Sequence, residues 1–315
     1  MEKVNPRKVF GKTIAKLGEM YPEIVVLDAD LGSSTYTGEF KKRFPERYKD
    51  CGVSEQDMMG TAAGLAITGK KPYACTFAIF IGRAWEQIRQ SIAYQGLDVK
   101  IIGTHGGFVG EDGKSHHGTE DVGIIRTLPM VCVVPSVEEL EEVLYLTAED
   151  KNPTYIRLFR QSDEMKIKPE IKIGKGFING KGAWYIKPYR IKEGRDVTLV
   201  SNGRMLSKAF NLTKELGLYG IDAELISIPY VKPLDDELVI ESLKKTGKLV
   251  TIEEHRKEGG LGEAVSSVVS EKYPVKTKGL YISGIIGSGK CSELYDFSGL
   301  SVPRMKEEIY RWLKD

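Results

Sequence analysis

The sequence predicts an α/β protein of two domains, each a mostly parallel sheet with helices on both faces. Three observations carry this. Apolar runs of strand length alternate with helical patterns through residues 1–165 and again through 193–315, the order that buries a parallel sheet between helix layers. The stretch between them, 166–192, is rich in Lys, Gly and Tyr and has no period, so it reads as a linker able to carry a hairpin. The length of 315 residues also suits roughly two domains.

In the first half, Asn5-Pro6 is a cap followed by proline at the first helical position, and Phe10, Ile14 and Leu17 repeat at helical spacing. IVVLDAD (24–30) reads as a buried strand, with another at 48–53. Ser54 to Asp57 resembles a capping box opening the small-residue helix MMGTAAGLAITG. KPYACTF (71–77) is a strand, and GRAWEQIRQSIAYQ (82–95) a helix with Trp85, Ile88 and Ile92 on one face, ended by Gly96. A strand at 98–104, a Gly-rich loop at 105–121 and a strand at 130–134 come next. Pro135-Ser136 and Glu139 then cap helix 137–149, and TYIRLF (154–159) is the last strand of this half. The second half reads strand 197–201, helix 204–217, strand 222–228, helix 235–245, strand 248–252, helix 261–272, strand 278–283 and helix 302–314.

Composition narrows the function classes. Lys+Arg 46 against Asp+Glu 44 gives a net charge of +2, which disfavours both a basic nucleic-acid binder and an acidic disordered tail. The longest apolar stretches, such as Cys75 to Gly82, fall short of the roughly 20 residues that cross a bilayer. The start, MEKVNPRK, has no apolar signal region. Cys51, Cys75, Cys132 and Cys291 form no CxxC pair and lie in apolar or strand-like surroundings. They are expected as buried free thiols in a reducing, cytoplasmic setting.

Ligands of an open parallel sheet bind beyond the carboxyl ends of its strands. Asp30 to Ser34, Glu55, Phe77 to Arg83, the His105 to Asp121 loop and Arg160 all come directly after first-half strands, so they are expected on one rim. Three of the four histidines, His105, His116 and His117, fall in that one loop. They suit acid–base or hydroxyl-binding work; zinc is a weaker alternative because the spacing fits no common finger, and no metal ligand is assigned. Glu55 opens a helix and could merely complement its dipole. GIIGSGKC (284–291) has phosphate-loop spacing, but Cys291 stands where a hydroxyl should hold magnesium, so a Gly-rich connection is the better reading. GGLG (259–262) is read as letting a helix start pack closely against the sheet, and His255 as a structural cap or a ligand contact.

At these residues the chain resembles a transketolase, specifically the C-terminal subunit of a split transketolase. The resemblance spans a pyrimidine-binding domain (1–165) and a transketolase C-terminal domain (193–315). It rests on LDADLGSS (27–34), GVSEQDMMGTAAGLA (52–66), TFAIFIGRAWEQIRQ (76–90), GEDGKSHHG (110–118, against the family's GEDGPTHQP), FRQ (159–161) and EEH…GGLG (253–262). It implies thiamine diphosphate chemistry and transfer of a two-carbon ketol unit between phosphorylated sugars, in the pentose phosphate pathway. Glu55 and His116 would be the catalytic residues, Glu55 by bonding N1′ of the aminopyrimidine. Asp30, Leu31, Phe77, Phe80 and Arg83 would complete the cofactor pocket. Arg7, Ser33, His105, Asp112, His116 and Arg160 would contact the sugar phosphate.

Three departures matter. Arg83 stands where transketolases usually carry Tyr, as in 1-deoxyxylulose-5-phosphate synthase. His117 replaces Gln. The GDG…Asn motif that holds magnesium and diphosphate is absent from the chain. The resemblance therefore implies that Mg2+ and the diphosphate are held by an N-terminal partner subunit, in an α2β2 assembly. A synthase-like or 2-oxo acid dehydrogenase beta-type subunit, or a non-catalytic homologue, are the alternatives.

Overall fold

The computed structural model describes residues 3–163, 171–178 and 180–314. It is a two-domain α/β structure of mostly parallel sheets faced by helices. The strands of the first half are β1 (Ile24–Asp28), β2 (Tyr48–Asp50), β3 (Lys71–Phe77), β4 (Lys100–Gly106), β5 (Val131–Val133) and β6 (Thr154–Phe159). Next come β7 (Ile173–Ile178), β8 (Lys181–Ile186), β9 (Tyr189–Lys192), β10 (Val197–Ser201), β11 (Ala223–Ser227), β12 (Tyr230–Lys232), β13 (Lys248–Ile252) and β14 (Lys276–Leu280).

The first sheet runs β12-β5-β6-β4-β3-β1-β2, parallel throughout except for β12. Strands β3, β4 and β6 are buried along their whole length, as sheets covered on both faces require. Phe10, Ile14 and Leu17 of helix Pro6–Met20 pack with Leu140, Val143 and Leu144 of helix Val137–Glu149 on one face. Met58, Met59 and Ala62 of helix Glu55–Ile67 pack with Ile88 and Ile92 on the other. The second sheet, β14-β13-β10-β11-β9, is parallel apart from β9.

The two halves are interlocked. Strand β12 leaves the second half to pair antiparallel with β5. The buried Glu139 carboxylate accepts from Ser136 N–H (2.7 Å), and also from Tyr189 OH (2.6 Å) and Ser227 OH (2.7 Å) of the second half. Within the stretch read as a linker, β7 and β8 form a hairpin whose Ile178, Ala183 and Ile186 join the first domain's core, while β9 enters the second sheet. The start of that stretch, 166–170, lies outside the described residues.

Several sequence expectations are corrected. The helix read over 82–95 is a 3-10 segment (Ala78–Ala84), one α turn (Trp85–Gln87) and a π segment (Ile88–Ala93). A tight stretch before a wide one keeps Trp85, Ile88 and Ile92 near one face, so periodicity alone cannot reveal the switch. The capping box at Ser54 does not form: Ser54 Oγ donates to the Cys51 carbonyl (2.7 Å), spending the hydroxyl on the turn before the helix. Strand 48–53 ends at Asp50, and strand 278–283 is shifted to Lys276–Leu280. All four cysteines are free, but only Cys75 and Cys132 are buried, while Cys51 and Cys291 are half-exposed. No helix among the described residues is long and apolar enough to cross a membrane.

Candidate active site

The parallel register of β1, β3, β4 and β6 brings their carboxyl ends to one edge. Arg7, in the first turn of helix Pro6–Met20, reaches across it. Its guanidinium donates to the Ser34 carbonyl (2.8 Å), to the Arg160 carbonyl (3.2 Å) and to His105 Nε2 (3.3 Å). Asn5 Oδ1 accepts from Arg7 N–H (3.0 Å) and fixes that helix start.

His105 sits at the end of β4 with φ +59°, a left-handed conformation that is costly for a side chain with a Cβ. Its ring stacks on Phe77 with centroids 3.7 Å apart. With Nε2 engaged by Arg7, Nδ1 carries the proton and donates to Thr104 Oγ1 (2.9 Å), which donates on to the Thr76 carbonyl (3.3 Å). Burial, then the nearby charges of Arg7, Arg160 and His116, push the His105 pKa down to about 3. The ring is neutral at working pH.

The neutral ring makes stability depend on pH. Below about pH 6.5 the unfolded chain protonates His105 and the native chain does not, so stability drops as pH falls from about 6.5 towards 3. His255, also held neutral chiefly by burial, acts in the same direction. Glu253 acts in the opposite one. Burial raises its pKa to about 7, so the folded state holds an extra proton between the ordinary 4.5 and 7, and its contribution fades as pH rises. His105→Gln is expected to flatten the acid limb of stability, measured as denaturation midpoints between pH 3 and 6.5. An unchanged slope would show that the native ring titrates normally.

Phe77 and Phe80 lie nearly parallel (9°, centroids 5.6 Å), and His116 stands edge-on to Phe80 at 5.6 Å. Ser115 Oγ contacts His116 Nδ1 (3.0 Å). Arg160 pairs with Asp112 and donates to the Val109 carbonyl (2.5 Å). Glu55, only 5% exposed at the first position of its helix, faces Arg83 Nε at 3.6 Å, while the Arg83 side chain is 73% exposed. Asp30 (φ +60°) comes after β1 with its N–H on Asp50 Oδ1 (3.0 Å), and Leu31 N–H bonds Asp28 Oδ1 (2.5 Å). Ser33 is exposed on the helical turn Gly32–Thr35, next to the Ser34 held by Arg7. The structure thus joins Arg7, His105, Phe77, Phe80, His116, Asp112 and Arg160 by direct contacts. The Glu55–Arg83 pair is carried by the helix that packs on turn 78–84.

The histidines of the loop divide. His117 faces away from the rim. Nδ1 accepts from Val109 N–H (3.2 Å), so Nε2 carries the proton and donates to the Gly287 carbonyl (2.9 Å) of the second domain. Both nitrogens are spent on protein, leaving none for zinc. Among the described residues no group of three His, Cys, Asp or Glu side chains could hold a metal ion. The neck of the loop is closed by Gly107 N–H to the Gly118 carbonyl (2.6 Å) and the reverse bond (3.2 Å). Gly107 has φ +80°, and a Cβ there would lie 2.1 Å from the Glu254 carboxyl carbon.

A buried node beneath the loop is marked by no motif in the sequence. Asp121 accepts from Arg157 Nε (2.8 Å) and Tyr155 OH (2.6 Å). Arg157 Nη2 donates to the carbonyls of Gly118 (2.6 Å) and Glu254 (2.9 Å). The one signal that could have found it is an arginine inside the apolar run TYIRLF. The EEH segment serves the same junction. Glu253 accepts from Leu261 and Gly262 N–H (2.6 and 2.8 Å), capping helix Leu261–Lys272. Glu254 accepts from Phe108 N–H (2.9 Å). His255 Nδ1 donates to the Arg256 carbonyl (2.8 Å), and Nε2 accepts from Gly123 N–H (3.2 Å) in the first turn of helix Asp121–Arg126. His255 is therefore a cap. At the GGLG start, a Cβ on Gly262 would lie 2.7 Å from Thr251 Oγ1 of β13, the expected approach to the sheet. The tighter contact is to another helix: a Cβ on Gly259 would lie 2.4 Å from Gly123 Cα in helix Asp121–Arg126.

Comparison with known proteins places this architecture. Residues 2–164 match the family model "Transketolase, pyrimidine binding domain", and residues 187–305 match "Transketolase, C-terminal domain". A protein of Methanocaldococcus jannaschii named "Putative transketolase C-terminal section" is 39% identical over 318 residues, covering 98% of this chain and 96% of that protein. A 1-deoxy-D-xylulose-5-phosphate synthase of Desulfotalea psychrophila is 32% identical over 93% of this chain but only 45% of its own length. A solved structure described as "Split gene transketolase, inactive beta4 tetramer" superposes with a TM-score of 0.87 at 39% identity, covering 99% of both chains. The chain belongs to the transketolase family and corresponds to its C-terminal section, a pyrimidine-binding domain followed by the transketolase C-terminal domain.

Proposed function

We propose that this chain is one half of a two-subunit, cytoplasmic transketolase that moves a two-carbon ketol unit between phosphorylated sugars. An N-terminal partner carrying GDG…Asn would hold Mg2+ and the diphosphate, in an α2β2 assembly, with thiamine diphosphate bridging the two chains. One observation carries the reading: a buried glutamate, a parallel aromatic pair and an Arg7–His105–Arg160 cluster share one rim, in a chain that has no GDG.

These residues fit the cofactor's aminopyrimidine. Glu55 is a buried carboxylate whose charged neighbour, Arg83, stands beyond hydrogen-bond length, so an oxygen is available to a ring nitrogen. Phe80 would pack on the ring and Phe77 line the pocket, with Asp30, Leu31 and Arg83 at its edge. Once bound, thiamine diphosphate supplies a carbanion-stabilising thiazolium. Glu55 would hold the shared proton at N1′ that sets the tautomer. His116 and Asp112 would orient sugar hydroxyls, and Arg7, Ser33, His105 and Arg160 would take the phosphate. His105 suits that role as a neutral ring rather than a cation.

Arg160→Ala should raise KM for phosphorylated substrates by roughly 10–100-fold with kcat nearly kept, because a charge-assisted contact is lost in ground and transition states alike. Steady-state assays with matched phosphorylated and unphosphorylated sugars check it; equal losses on both would contradict it.

Arg83 favours one second reading, a synthase-like condensation of a 2-oxo acid with an aldose phosphate. The experiment that separates the two is reconstitution with the partner, then parallel assays of ketol transfer and of pyruvate consumption. Ketol transfer without pyruvate turnover supports the first reading; the reverse supports the second.

A further inference from the structure

The GxxxxGK segment belongs to the second domain, yet the fold delivers it to the rim of the first. Residues 284–290 run from the second domain onto the first domain's GEDGKSHHG loop. Two contacts hold them: the His117 Nε2 bond to the Gly287 carbonyl (2.9 Å) and Ser288 Oγ donating to the Glu111 carbonyl (2.5 Å). Past these anchors the chain turns into a cavity of about 470 Å³ that both domains line. Arg7, Asp112 and Arg160 contribute from the first domain, and Gly289, Lys290 and Cys291 from the second.

The charges of this cavity are unequal. The Arg160 guanidinium is paired with Asp112. Arg7 bonds only carbonyls and a neutral imidazole, and its buried Nε has no partner. Lys290 is exposed on the cavity wall and forms no salt bridge among the described residues. Two cations held in no ion pair among the described residues thus face one concave space. With Arg160 they outnumber the two carboxylates that also line it, Glu111 and Asp112, an arrangement that raises the local concentration of an anion.

We propose that the C-terminal domain completes the substrate's anion subsite. Lys290, presented by the Gly284–Lys290 connection and positioned through His117 and Ser288, acts with Arg7 and Arg160 as a third cation for the terminal phosphate of the sugar. This rests on the reading of the rim as a sugar-phosphate site. Lys290 is the specificity residue and His117 a positioning residue. The ammonium is a point charge on a flexible stem, suited to a phosphate whose distance varies with sugar length. The His117 ring fixes where that stem begins.

The test uses Lys290→Gln, Lys290→Arg, His117→Leu and His117→Gln in the complete assembly with its partner. Lys290→Gln is expected to raise KM for phosphorylated substrates about tenfold, leave kcat within about twofold and leave unphosphorylated sugars unaffected. Lys290→Arg restores KM. His117→Leu reproduces the KM rise, and His117→Gln, whose amide offers the same donor and acceptor, does not. An unchanged KM in Lys290→Gln, or equal changes on both substrate classes, overturns the proposal. Calorimetric titration of inorganic phosphate into the full-length chain separates this from failure of the functional reading. Should the assembly show no ketol transfer, weaker phosphate binding by Lys290→Gln than by the parent still supports the subsite, and equal binding overturns it.

Discussion

Glu55→Gln in the assembled enzyme is expected to lower turnover by about 10²–10⁴-fold, the range of a lost acid–base function, with partner binding retained. The reason is local. Glu55 is buried at the start of helix Glu55–Ile67 beside turn Ala78–Ala84, and an amide of the same shape preserves that packing. What the amide cannot do is share a proton with a ring nitrogen. Steady-state kinetics with co-purification of the partner checks both halves of the statement. Near-normal turnover would leave Glu55 as a helix-dipole residue and remove the reason for placing the aminopyrimidine there.

The second large effect concerns stability. Asp121→Ala should destabilise the protein by about 3–5 kcal/mol, the range for stripping one partner from a buried ion pair. Asp121 and Arg157 are both buried, and the carboxylate beside it holds the Arg157 guanidinium above its ordinary pKa despite burial. Removing the acid leaves a cation with only carbonyl partners at Gly118 and Glu254, one in the Gly-rich loop after β4 and one in the second domain. The change should therefore loosen the domain junction as well as the first sheet. Replacing both residues with apolar ones of similar volume, Asp121→Leu with Arg157→Met, should cost less than Asp121→Ala alone. Denaturant midpoints of the three proteins test this, and a double variant less stable than the single would contradict it.

Much of the fold is legible in the sequence because one physical signal dominates. Continuous apolar runs at β1, β3, β4 and β6 specify a sheet covered on both faces, and a parallel sheet gathers the residues beyond its strand ends at one edge. The contacts Arg7–His105, Phe77–His105 and Arg160–Asp112 depend on that topology more than on local detail. The features that stay hidden depend on hydrogen-bond choices that spacing does not encode. Ser54 could cap its helix or bond the Cys51 carbonyl, and the latter occurs. His116 and His117 are neighbours in sequence, yet one faces Phe80 and the other anchors the second domain. The 3-10 and π segments of 78–93 compensate each other along the apolar stripe, so the pattern reads as one regular helix. The roles of Glu254 and His255 need the first domain in place, because each accepts from a backbone N–H of that domain, at Phe108 and Gly123, and Glu253 caps a helix whose start lies eight residues further along the chain.

On the proposed function, this chain holds half of an active site and its partner the other half. The most direct measurement is calorimetric titration of magnesium thiamine diphosphate into the chain alone and into the chain mixed with its GDG-bearing partner. The chain alone is expected to show no micromolar binding, and the mixture saturable binding. Micromolar binding by the isolated chain would contradict it.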